Sequence, residues 1–494
     1  MQRITERIPP NPKLLIHALR SIGYSFEGAV ADIIDNSISA KARNVLVRIV
    51  RGDERVERLI IADDGTGMSE THLAEAMRFG AGTEKTLESL SKFGLGLKLA
   101  SLSQGTELTV VTRSGGAISG RRWTVETIGE DWYCEVVPAS EVRNLLKGPW
   151  GDVDISKRGT VVIWSDLDKI KVKKGGLDQT IRGLFEKLKL HLGLHFHRFI
   201  EDKRVRISID SQPVDGEMND VREDVAALNP FDYDIQQTKF PPRAFPLDLS
   251  PVGELVMEAH IWPPNSTSKN YKLDRAAGRQ GFYFYRNDRL IQAGGWNDLR
   301  EDTEPHLSLA RVMIDLPPQF DSYFSLDVQK ASIKAPPIFV TALRTAVDSQ
   351  KSLFHAYLKE AQAAYRKQER QNPDNFPMVP ADGLAAQLRQ GLKDVLAPDE
   401  KRVREVGFEW ADLESGEFFE LDRDNFVIRL NRHFRSRLLD GRKASPNDLP
   451  LIKVLMFLLV HDVMDSGRLS AQQKEWLDDC NKALGQVMKA MRTE

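Results

Sequence analysis

The sequence contains very little cysteine, with only Cys134 and Cys480 among 494 residues. Two cysteines exclude a disulfide framework and a cysteine-based zinc site, and such low usage is typical of a reducing compartment. Long apolar runs are lacking too, because the longest, Leu451–Val460, is about half a membrane span and contains Lys453. The first ten residues have no apolar signal core. These absences predict a cytoplasmic protein that does not act at a membrane.

The charge of the chain is nearly balanced, with 69 Lys and Arg residues against 71 Asp and Glu residues, so the formal net charge is −2. This balance excludes a protein that is basic throughout, but it permits a local basic patch. A single hydrophobic core rarely grows beyond about 250–300 residues. The length of 494 residues therefore predicts two or three domains.

The pattern of apolar residues divides the chain into three predicted regions. Residues 1–195 alternate between helical and strand-like segments, which predicts an α/β fold. Residues 196–348 are rich in strand-like runs, of which Val205–Asp210 is one of the clearest. Residues 349–494 follow a mainly helical pattern with a small β element, and the proline-rich stretch 372–381 is the best candidate for a linker.

Two polar motifs lie beside predicted apolar elements in the first region. Asp32 and Asn36 are four residues apart on a predicted helix, so they share one face and can hold a water beside a phosphate and a magnesium ion. Asp63 begins the motif DDGTGM after an apolar strand, where a carboxylate can accept a hydrogen bond from an exocyclic amine and glycines admit a flat ring. Each motif alone also fits a solvated helix face or an ordinary β-turn.

Two further motifs follow along the chain. The segment Lys92–Lys98 (KFGLGLK) opens a predicted helix after a polar loop, and its glycines expose backbone N–H groups that bind phosphate, with the charge of Lys98 nearby. The segment is not a Walker loop, and as a dinucleotide-binding fingerprint it is weak. Gly159-Thr160 opens a strand-like run and has no meaning when it is taken alone.

The order of the four motifs within residues 32–160 resembles the GHKL ATPases. This is the Bergerat-fold group that contains gyrase, heat-shock chaperones, histidine kinases, MutL and MORC. The resemblance implies a two-layer α/β sandwich that binds ATP and Mg²⁺. A histidine kinase is disfavoured, because no dimerisation helix hairpin precedes the first motif.

The resemblance also implies roles for individual residues. Asp32 falls at the catalytic carboxylate, Asn36 at the magnesium ligand and Asp63 at the adenine-binding carboxylate. Further nucleotide-binding positions are Ala40, Gly65, Gly67, Met68, Thr83, Lys85, Gly94, Leu95, Gly96, Leu97, Lys98 and Thr160. Relatives usually have Glu where this chain has Asp32, whose side chain is about one C–C bond shorter. Since a general base must reach the attacking water, slow hydrolysis or binding with little turnover is expected.

The second region resembles the S5-like α/β transducer domain that follows the ATPase domain in MORC-like and MutL-like proteins. The resemblance rests on Phe282–Trp296 and on Ser325–Lys330. It implies that a lysine of the second segment reaches the γ-phosphate, with Lys330 as first choice and Lys334 as second. The third region resembles no family, but it contains a basic cluster of Arg429, Arg432, His433, Arg435, Arg437, Arg442 and Lys443. The cluster fits phosphate contacts, and it fits a solvated face or a protein interface equally well.

Together these features predict an ATP-dependent homodimer that acts as a nucleotide-gated clamp on DNA or on a partner protein, with a role in genome maintenance or antiviral defence. One alternative is a client clamp like the heat-shock chaperones, and another is a non-hydrolysing ATP sensor that scaffolds partners. Salt-sensitive DNA binding favours the first function, and holding of unfolded chains favours the second. Tight ATP binding without turnover favours the third.

Overall fold

The structure is a computed structural model that divides the chain into two compact units, Met1–Tyr365 and Arg366–Glu494. The residues that it describes are 11–21, 23–79, 96–172, 176–216, 222–235, 238–264, 266–273, 279–297, 299, 304–321, 323–326, 333–371, 377–398, 400, 403–414, 416–423, 425–464 and 471–490. No helix among these residues is both long enough and apolar enough to cross a membrane.

The first part of the first unit alternates between helices and strands. Its helices are α1 (Pro12–Arg20), α2 (Phe26–Ser39), α3 (Glu70–Met77), α4 (Gly96–Gln104), α5 (Val125–Asp131), α6 (Ala139–Leu146), α7 (Gly176–His195) and α8 (His197–Glu201). Its strands are β1 (Asn44–Arg51), β2 (Val56–Asp63), β3 (Glu107–Ser114), β4 (Ala117–Thr124), β5 (Glu135–Val136), β6 (Gly159–Ser165), β7 (Arg206–Pro213) and β8 (Glu223–Asp224). The predicted α/β fold of this region is thereby confirmed.

The eight strands form one sheet in the order β5-β4-β3-β6-β2-β1-β7-β8, with all pairs antiparallel except β1 and β7. Strand β1 reads as a nearly continuous apolar run because both of its faces are covered. Val45, Val47 and Ile49 pack against α2, α4 and α7, whereas Leu46 and Val50 pack towards α6 and the segment after it. The main helical layer therefore lies on one face of the sheet, as a two-layer sandwich requires.

Strand β7 corrects one detail of the sequence interpretation. The segment Val205–Asp210 was assigned to the second region, but β7 pairs in parallel with β1 and completes the first sheet. The pairing brings Arg48 onto Asp210, with Nε–Oδ1 2.7 Å and Nη2–Oδ2 2.8 Å, and both side chains are buried. Alternating hydrophobicity identifies a strand but not its partner, and this partner lies across more than a hundred residues of chain.

The second sheet occupies the rest of the first unit. Its strands are β9 (Arg243–Asp248), β10 (Glu254–Ile261), β11 (Gly281–Arg286), β12 (Arg289–Ala293) and β13 (Ala310–Asp315), and the hairpin β14 (Ser325–Leu326) and β15 (Ile333–Lys334) follows. Its helices are α9 (Lys269–Lys272), α10 (Pro337–Thr345) and α11 (Phe354–Gln371). The strand order is β12-β11-β13-β10-β9, so β12 lies at one edge. The S5-like identity of this part stays a prediction.

Strand β11 joins the two sheets of the first unit. Phe282 and Phe284 face the core that the second sheet shares with α10 and α11. Tyr283 and Tyr285 face the other way and cluster with Leu194 of α7. Because α11 also packs into the second sheet, the first compact unit extends to residue 365 rather than to the predicted boundary at 348.

The second unit is a small α/β structure. Its elements are β16 (Met378–Pro380), α12 (Ala386–Leu396), β17 (Arg404–Ala411), β18 (Phe419–Asp422), β19 (Val427–Asn431), α13 (Arg432–Leu439), α14 (Pro450–Met464) and α15 (Ala471–Ala490). The strands form one sheet in the order β16-β17-β19-β18. This sheet is larger than the small β element that the sequence pattern predicts for this region. Part of the predicted linker, residues 378–380, forms β16, and residues 372–376 lie outside the described chain.

The buried pair of Arg48 and Asp210 yields a prediction about stability. Arg48→Met should lower the free energy of unfolding by about 3 kcal/mol or more, because it leaves a buried carboxylate with Arg222 as its remaining ion-pair partner. Arg206→Met on β7 is the control, since its ion pairs with Asp152 and Asp224 are exposed and should contribute only about 0–1 kcal/mol. Urea unfolding followed by circular dichroism measures both changes. Equal losses of unfolding free energy in the two variants would show that the buried Arg48 pair contributes no more to stability than the exposed Arg206 pairs.

Candidate functional site

Helix α2 provides the frame of the candidate site. Ser25 caps its N-terminus by accepting a hydrogen bond from the backbone N–H of Gly28. Asp32 and Asn36 lie one turn apart on the helix, as predicted, with Asp32 buried and Asn36 half-buried. The hydroxyl of Tyr24 donates a hydrogen bond to Oδ2 of Asp32 at 3.0 Å. The carboxylate is thus held in a defined orientation before any ligand binds.

Asp63 ends β2 as a buried carboxylate that accepts hydrogen bonds from neighbouring groups. The hydroxyl of Ser37 donates to Oδ2 at 2.9 Å, and the backbone N–H of Gly65 donates to Oδ1 at 2.9 Å. Burial raises the pKa of Asp63 to about 6, although the hydrogen bonds from Gly65, Ser37 and Thr160 lower it. Its ionised and neutral forms therefore lie close in free energy near neutral pH, as is common at functional sites.

The turn after Asp63 accepts only glycine at two positions. A Cβ atom on Gly65 would lie 2.8 Å from Oδ1 of Asp63 and 2.9 Å from Cβ of Ala40. Gly67 has a φ of +67°, and a Cβ atom there would lie 2.0 Å from the carbonyl oxygen of Arg113. The two glycines thus let the turn pack closely against Ala40, Asp63 and the backbone of Arg113.

Strand β6 brings Thr160 next to Asp63. The two residues are paired across β2 and β6. The hydroxyl of Thr160 lies 3.2 Å from that of Thr112 on β3. Thr112 accepts a hydrogen bond from the backbone N–H of Met68 at 2.9 Å and donates one to the carbonyl of Gly159 at 3.0 Å. Thr112 therefore links the glycine turn to Thr160, a role that the sequence did not reveal.

The start of α4 lies beside Asp32. The helix begins at Gly96, and a Cβ atom on that glycine would lie 3.6 Å from Oδ2 of Asp32. The first N–H groups of a helix have no intrahelical acceptor and attract anions. The structure thus brings a carboxylate and a helix N-terminus together, as the predicted phosphate site requires.

Lys98 has a different surrounding from the one expected. It is buried, and its Nζ donates to the carbonyl oxygens of Ala76 at 2.9 Å and Arg78 at 2.7 Å. The ammonium group also lies 5.9 Å from the ring centre of Phe79. Lys98 therefore ties α4 to the C-terminal end of α3, where a positive charge is favourable. Its contact with phosphate stays a prediction.

Several predicted site residues lie outside the described chain, namely Thr83, Lys85, Gly94, Leu95 and Lys330. The second-choice lysine, Lys334, ends β15 and is exposed. Three residues of the site were missed from the sequence, namely Tyr24, Ser37 and Thr112. Hydroxyl side chains are common everywhere, and their roles here arise from tertiary contacts rather than from a motif.

The described residues include no cluster of three or more His, Cys, Asp or Glu side chains that could hold a metal ion. Magnesium does not need such a cluster, because it keeps several waters and is commonly held by one or two side-chain oxygens together with substrate phosphates. The half-buried amide of Asn36, one turn from Asp32, fits that requirement.

The predicted basic cluster of the second unit makes many internal contacts. Arg429 pairs with Asp422, Glu420 and Glu409, Arg432 pairs with Asp412, and Arg435 pairs with Asp448. Arg437 donates to the carbonyl of Met488. These contacts favour a structural role for much of the cluster. Arg442 and Lys443 are exposed.

Comparison with known proteins finds similarity over the segment that contains this site. Residues 24–158 match the family described as histidine kinase-, DNA gyrase B-, and HSP90-like ATPase. The chain is 28% identical over 196 residues to DNA mismatch repair protein MutL of Carboxydothermus hydrogenoformans, which covers 37% of this chain and 30% of that protein. It is 32% identical over 92 residues to ATPase morc-1 of Caenorhabditis elegans, which covers 18% of this chain and 10% of that protein.

The matched segments thus span less than a third of the length of either relative. Among solved structures, the N-terminal domain of a DNA repair protein aligns with 70% of this chain and 95% of its own length. That alignment has a sequence identity of 15% and a TM-score of 0.38.

The raised pKa of Asp63 yields a prediction about nucleotide binding. The predicted role of Asp63 requires its ionised carboxylate to accept a hydrogen bond from an adenine amine, so ATP affinity should fall by up to about tenfold per pH unit below about pH 6. GTP carries a carbonyl at that position and should bind more weakly by about 1–3 kcal/mol. Calorimetric titration between pH 5 and pH 7 measures both effects.

The matched variant for this prediction is Asp63→Asn. In this variant, ATP affinity should lose the pH dependence that arises from the Asp63 carboxylate. The variant should also lose most of the preference for ATP over GTP. Taking the difference between variant and wild type removes the titration of the nucleotide itself. Parallel pH profiles for the two proteins would assign the dependence to another group.

Proposed function

We propose that residues 24–158 form a domain that binds ATP with Mg²⁺ and hydrolyses the nucleotide. These residues match the histidine kinase-, DNA gyrase B-, and HSP90-like ATPase family. Within that family the chain is a MORC/MutL-like GHKL ATPase. The observation that carries the proposal is the buried Asp63 carboxylate beside Thr160 and the Gly65–Gly67 turn.

Adenine recognition follows from the chemistry of Asp63. Its two oxygens are held by Ser37 and Gly65 and keep further lone pairs that can accept from an exocyclic amine. Because Gly65 and Gly67 carry no side chains, a flat ring is proposed to lie against the backbone of this turn. A buried acceptor that meets a second acceptor is unfavourable, and the site therefore selects adenine over guanine.

Hydrolysis follows from the grouping around Asp32. Its carboxylate can accept a proton from a water that attacks the γ-phosphate, and Tyr24 keeps the carboxylate oriented for this role. The N-terminus of α4 lies beside Asp32 and stabilises the negative charge on the phosphate oxygens. Mg²⁺ held at Asn36 would neutralise phosphate charge. Lys330 would add a positive charge from the second part of the chain.

A second function, an ATP sensor with little turnover, is favoured by one specific observation. Asp32 is shorter than Glu, and the hydroxyl of Tyr24 already occupies a lone pair of its Oδ2. Because a general base must come within hydrogen-bond reach of the attacking water, a short carboxylate that is already held by Tyr24 makes slow hydrolysis the expected behaviour.

The work that ATP drives is proposed to be closure of a homodimer into a clamp. A triphosphate offers contacts that a diphosphate lacks, and only such differential contacts can shift a two-state equilibrium. The relative named as a DNA mismatch repair protein supports DNA as the client and genome maintenance as the role. Antiviral defence and a chaperone-like clamp stay predictions from the sequence.

The assignment of Asp32 is tested by hydrolysis. Asp32→Ala should lower the ATPase rate by about 10²-fold or more, a typical general-base contribution, while ATP still binds. Asn36→Ala should instead weaken binding of ATP in the presence of Mg²⁺. Phosphate release, measured with and without duplex DNA, and calorimetric titration separate the two effects. An unchanged rate in Asp32→Ala would remove it from the mechanism, and a wild type that binds ATP without turnover would select the sensor function.

The clamp is tested by molecular mass. A non-hydrolysable ATP analogue with Mg²⁺ should give a dimer, whereas ADP should give mainly a monomer. Lys330→Ala should weaken the dimer more than it weakens ATP binding, because the lysine is proposed to contact only the γ-phosphate. Light scattering at matched protein concentrations measures the mass. The same mass with the analogue, with ADP and without nucleotide would refute nucleotide-gated closure but not the ATP site.

A further inference from the structure

Helix α2 carries a second buried carboxylate, Asp35, directly before Asn36. Nε of Arg289 lies 2.8 Å from its Oδ1 and 2.9 Å from its Oδ2, and the two residues are 254 positions apart in the sequence. Asp35 is fully buried and Arg289 is nearly so. Arg289 begins β12, the edge strand of the second sheet. This pair therefore links the helix of the nucleotide site directly to the second sheet.

The surroundings of Arg289 hold its guanidinium group in place. Nη1 donates to the carbonyl of Leu290 at 2.6 Å, and the group lies 5.0 Å from the ring centre of Phe196. Burial lowers the pKa of His191 to about 3, and the charge of Arg289 contributes to this shift. The His191 ring is thus uncharged near neutral pH.

A buried ion pair such as Asp35 and Arg289 fixes the relative position of two elements more than it adds to the free energy of unfolding. Removing two charges from water costs about as much as their attraction returns, so a buried ion pair often contributes little to folding. The pair nevertheless has one favourable arrangement, because each partner is costly to bury alone. It therefore fixes how α2 is rotated and shifted relative to β12.

The orientation of α2 determines where its nucleotide-binding groups lie. Asp35 falls between Asp32 and Asn36 in the same hydrogen-bonded turns, where the N–H of Ala40 donates to the carbonyl of Asn36 at 2.9 Å. A rotation that breaks the contact of Asp35 with Arg289 must also move the other two side chains. A displacement of about 1 Å at a reacting group can cost about 10²-fold in rate.

We propose that Arg289 is a positioning residue for the nucleotide site, which holds Asp32 and Asn36 in register through Asp35. The inference rests on the proposed ATPase function and assigns a role in it to the second sheet. Coupling between two sites is reciprocal. A nucleotide that shifts α2 therefore shifts the edge of the second sheet, and a change at that edge alters hydrolysis.

The chain offers a matched control three residues earlier. Arg286 ends β11, and its Nε lies 2.9 Å and 3.0 Å from the two oxygens of Asp321. Arg286 is 6% exposed and Arg289 is 2% exposed, so the two arginines are similarly buried, and Asp321 is more exposed than Asp35. Both partners of the Arg286 pair belong to the second sheet and its following segment rather than to α2. Arg286→Gln thus breaks a comparable ion pair without releasing the nucleotide-binding helix.

The first experiment compares steady-state ATP hydrolysis and melting temperature. Arg289→Gln should lower kcat by about tenfold or more, whereas Arg286→Gln should change kcat by less than about twofold at a similar loss of melting temperature. Arg289→Lys should fall between wild type and Arg289→Gln, because Lys keeps the charge but not the planar donor group. Equal losses of kcat in Arg286→Gln and Arg289→Gln would reduce the pair to a general structural role and overturn the proposal.

A double variant tests whether Arg289 acts through Asp35. Asp35→Asn and Arg289→Gln should each lower kcat, and the double variant should lose no more than the worse single variant, since both remove one interaction. Multiplicative losses would show that the two residues act independently, and that result would also overturn the proposal.

A readout without nucleotide separates this inference from the ATPase function itself. Hydrogen exchange in the ligand-free chain should become at least about tenfold faster for the amides of α2 in Arg289→Gln, and not in Arg286→Gln. Unchanged protection of α2 would overturn the positioning role even if ATP is hydrolysed. A different outcome is that exchange of α2 is faster in Arg289→Gln although the wild-type protein does not bind ATP. That outcome would support the link between α2 and β12 and would refute the ATP site instead.

Discussion

The need to satisfy buried carboxylates around α2 organises the first unit. Asp32, Asp35 and Asp63 all lie in the interior, where an ionised group without donors would be strongly unfavourable. Each receives its donors from a different place: a tyrosine before α2, an arginine of the second sheet, and a serine of α2 together with the turn after β2. The chain must therefore bring four separate segments together before the polar interior is stable, and the nucleotide site is a product of that same assembly.

Contacts between α7, α8 and the second sheet reinforce this arrangement. Leu194 packs with the tyrosines of β11, and His197 lies 3.0 Å from the hydroxyl of Tyr285. Arg198 pairs with Asp288 and Asp315 and stacks on the ring of Tyr285 at 3.7 Å. An interface with this mixture of apolar packing and oriented ion pairs has few alternative arrangements. The two sheets of the first unit are consequently suited to respond together when a ligand alters one of them.

The sequence predicted the elements of the site better than their partners. Asp63 and Thr160 were recognised from motifs, and the structure pairs them across neighbouring strands. Strand β4 (Ala117–Thr124) could not be predicted, because its sequence AISGRRWT has a glycine and two arginines in place of an alternating apolar pattern. The link from Asp35 to Arg289 could not be predicted, since neither residue belongs to a pattern that depends on the other. A motif lies within a short segment and can be recognised there, whereas a contact between residues 254 positions apart depends on the whole fold.

The parallel pairing of β7 with β1 has a consequence for synthesis on the ribosome. The chain emerges from its N-terminus, and β1 to β6 are complete long before residues 206–213 appear. During that interval the nascent sheet presents β1 as an open edge strand, with Arg48 still lacking its carboxylate partner. An exposed apolar edge is a template for mispairing between neighbouring chains. Polysomes that carry this message are thus the place where aggregation of the protein is most expected, and a fragment that ends at residue 165, directly after β6, would keep that edge open permanently.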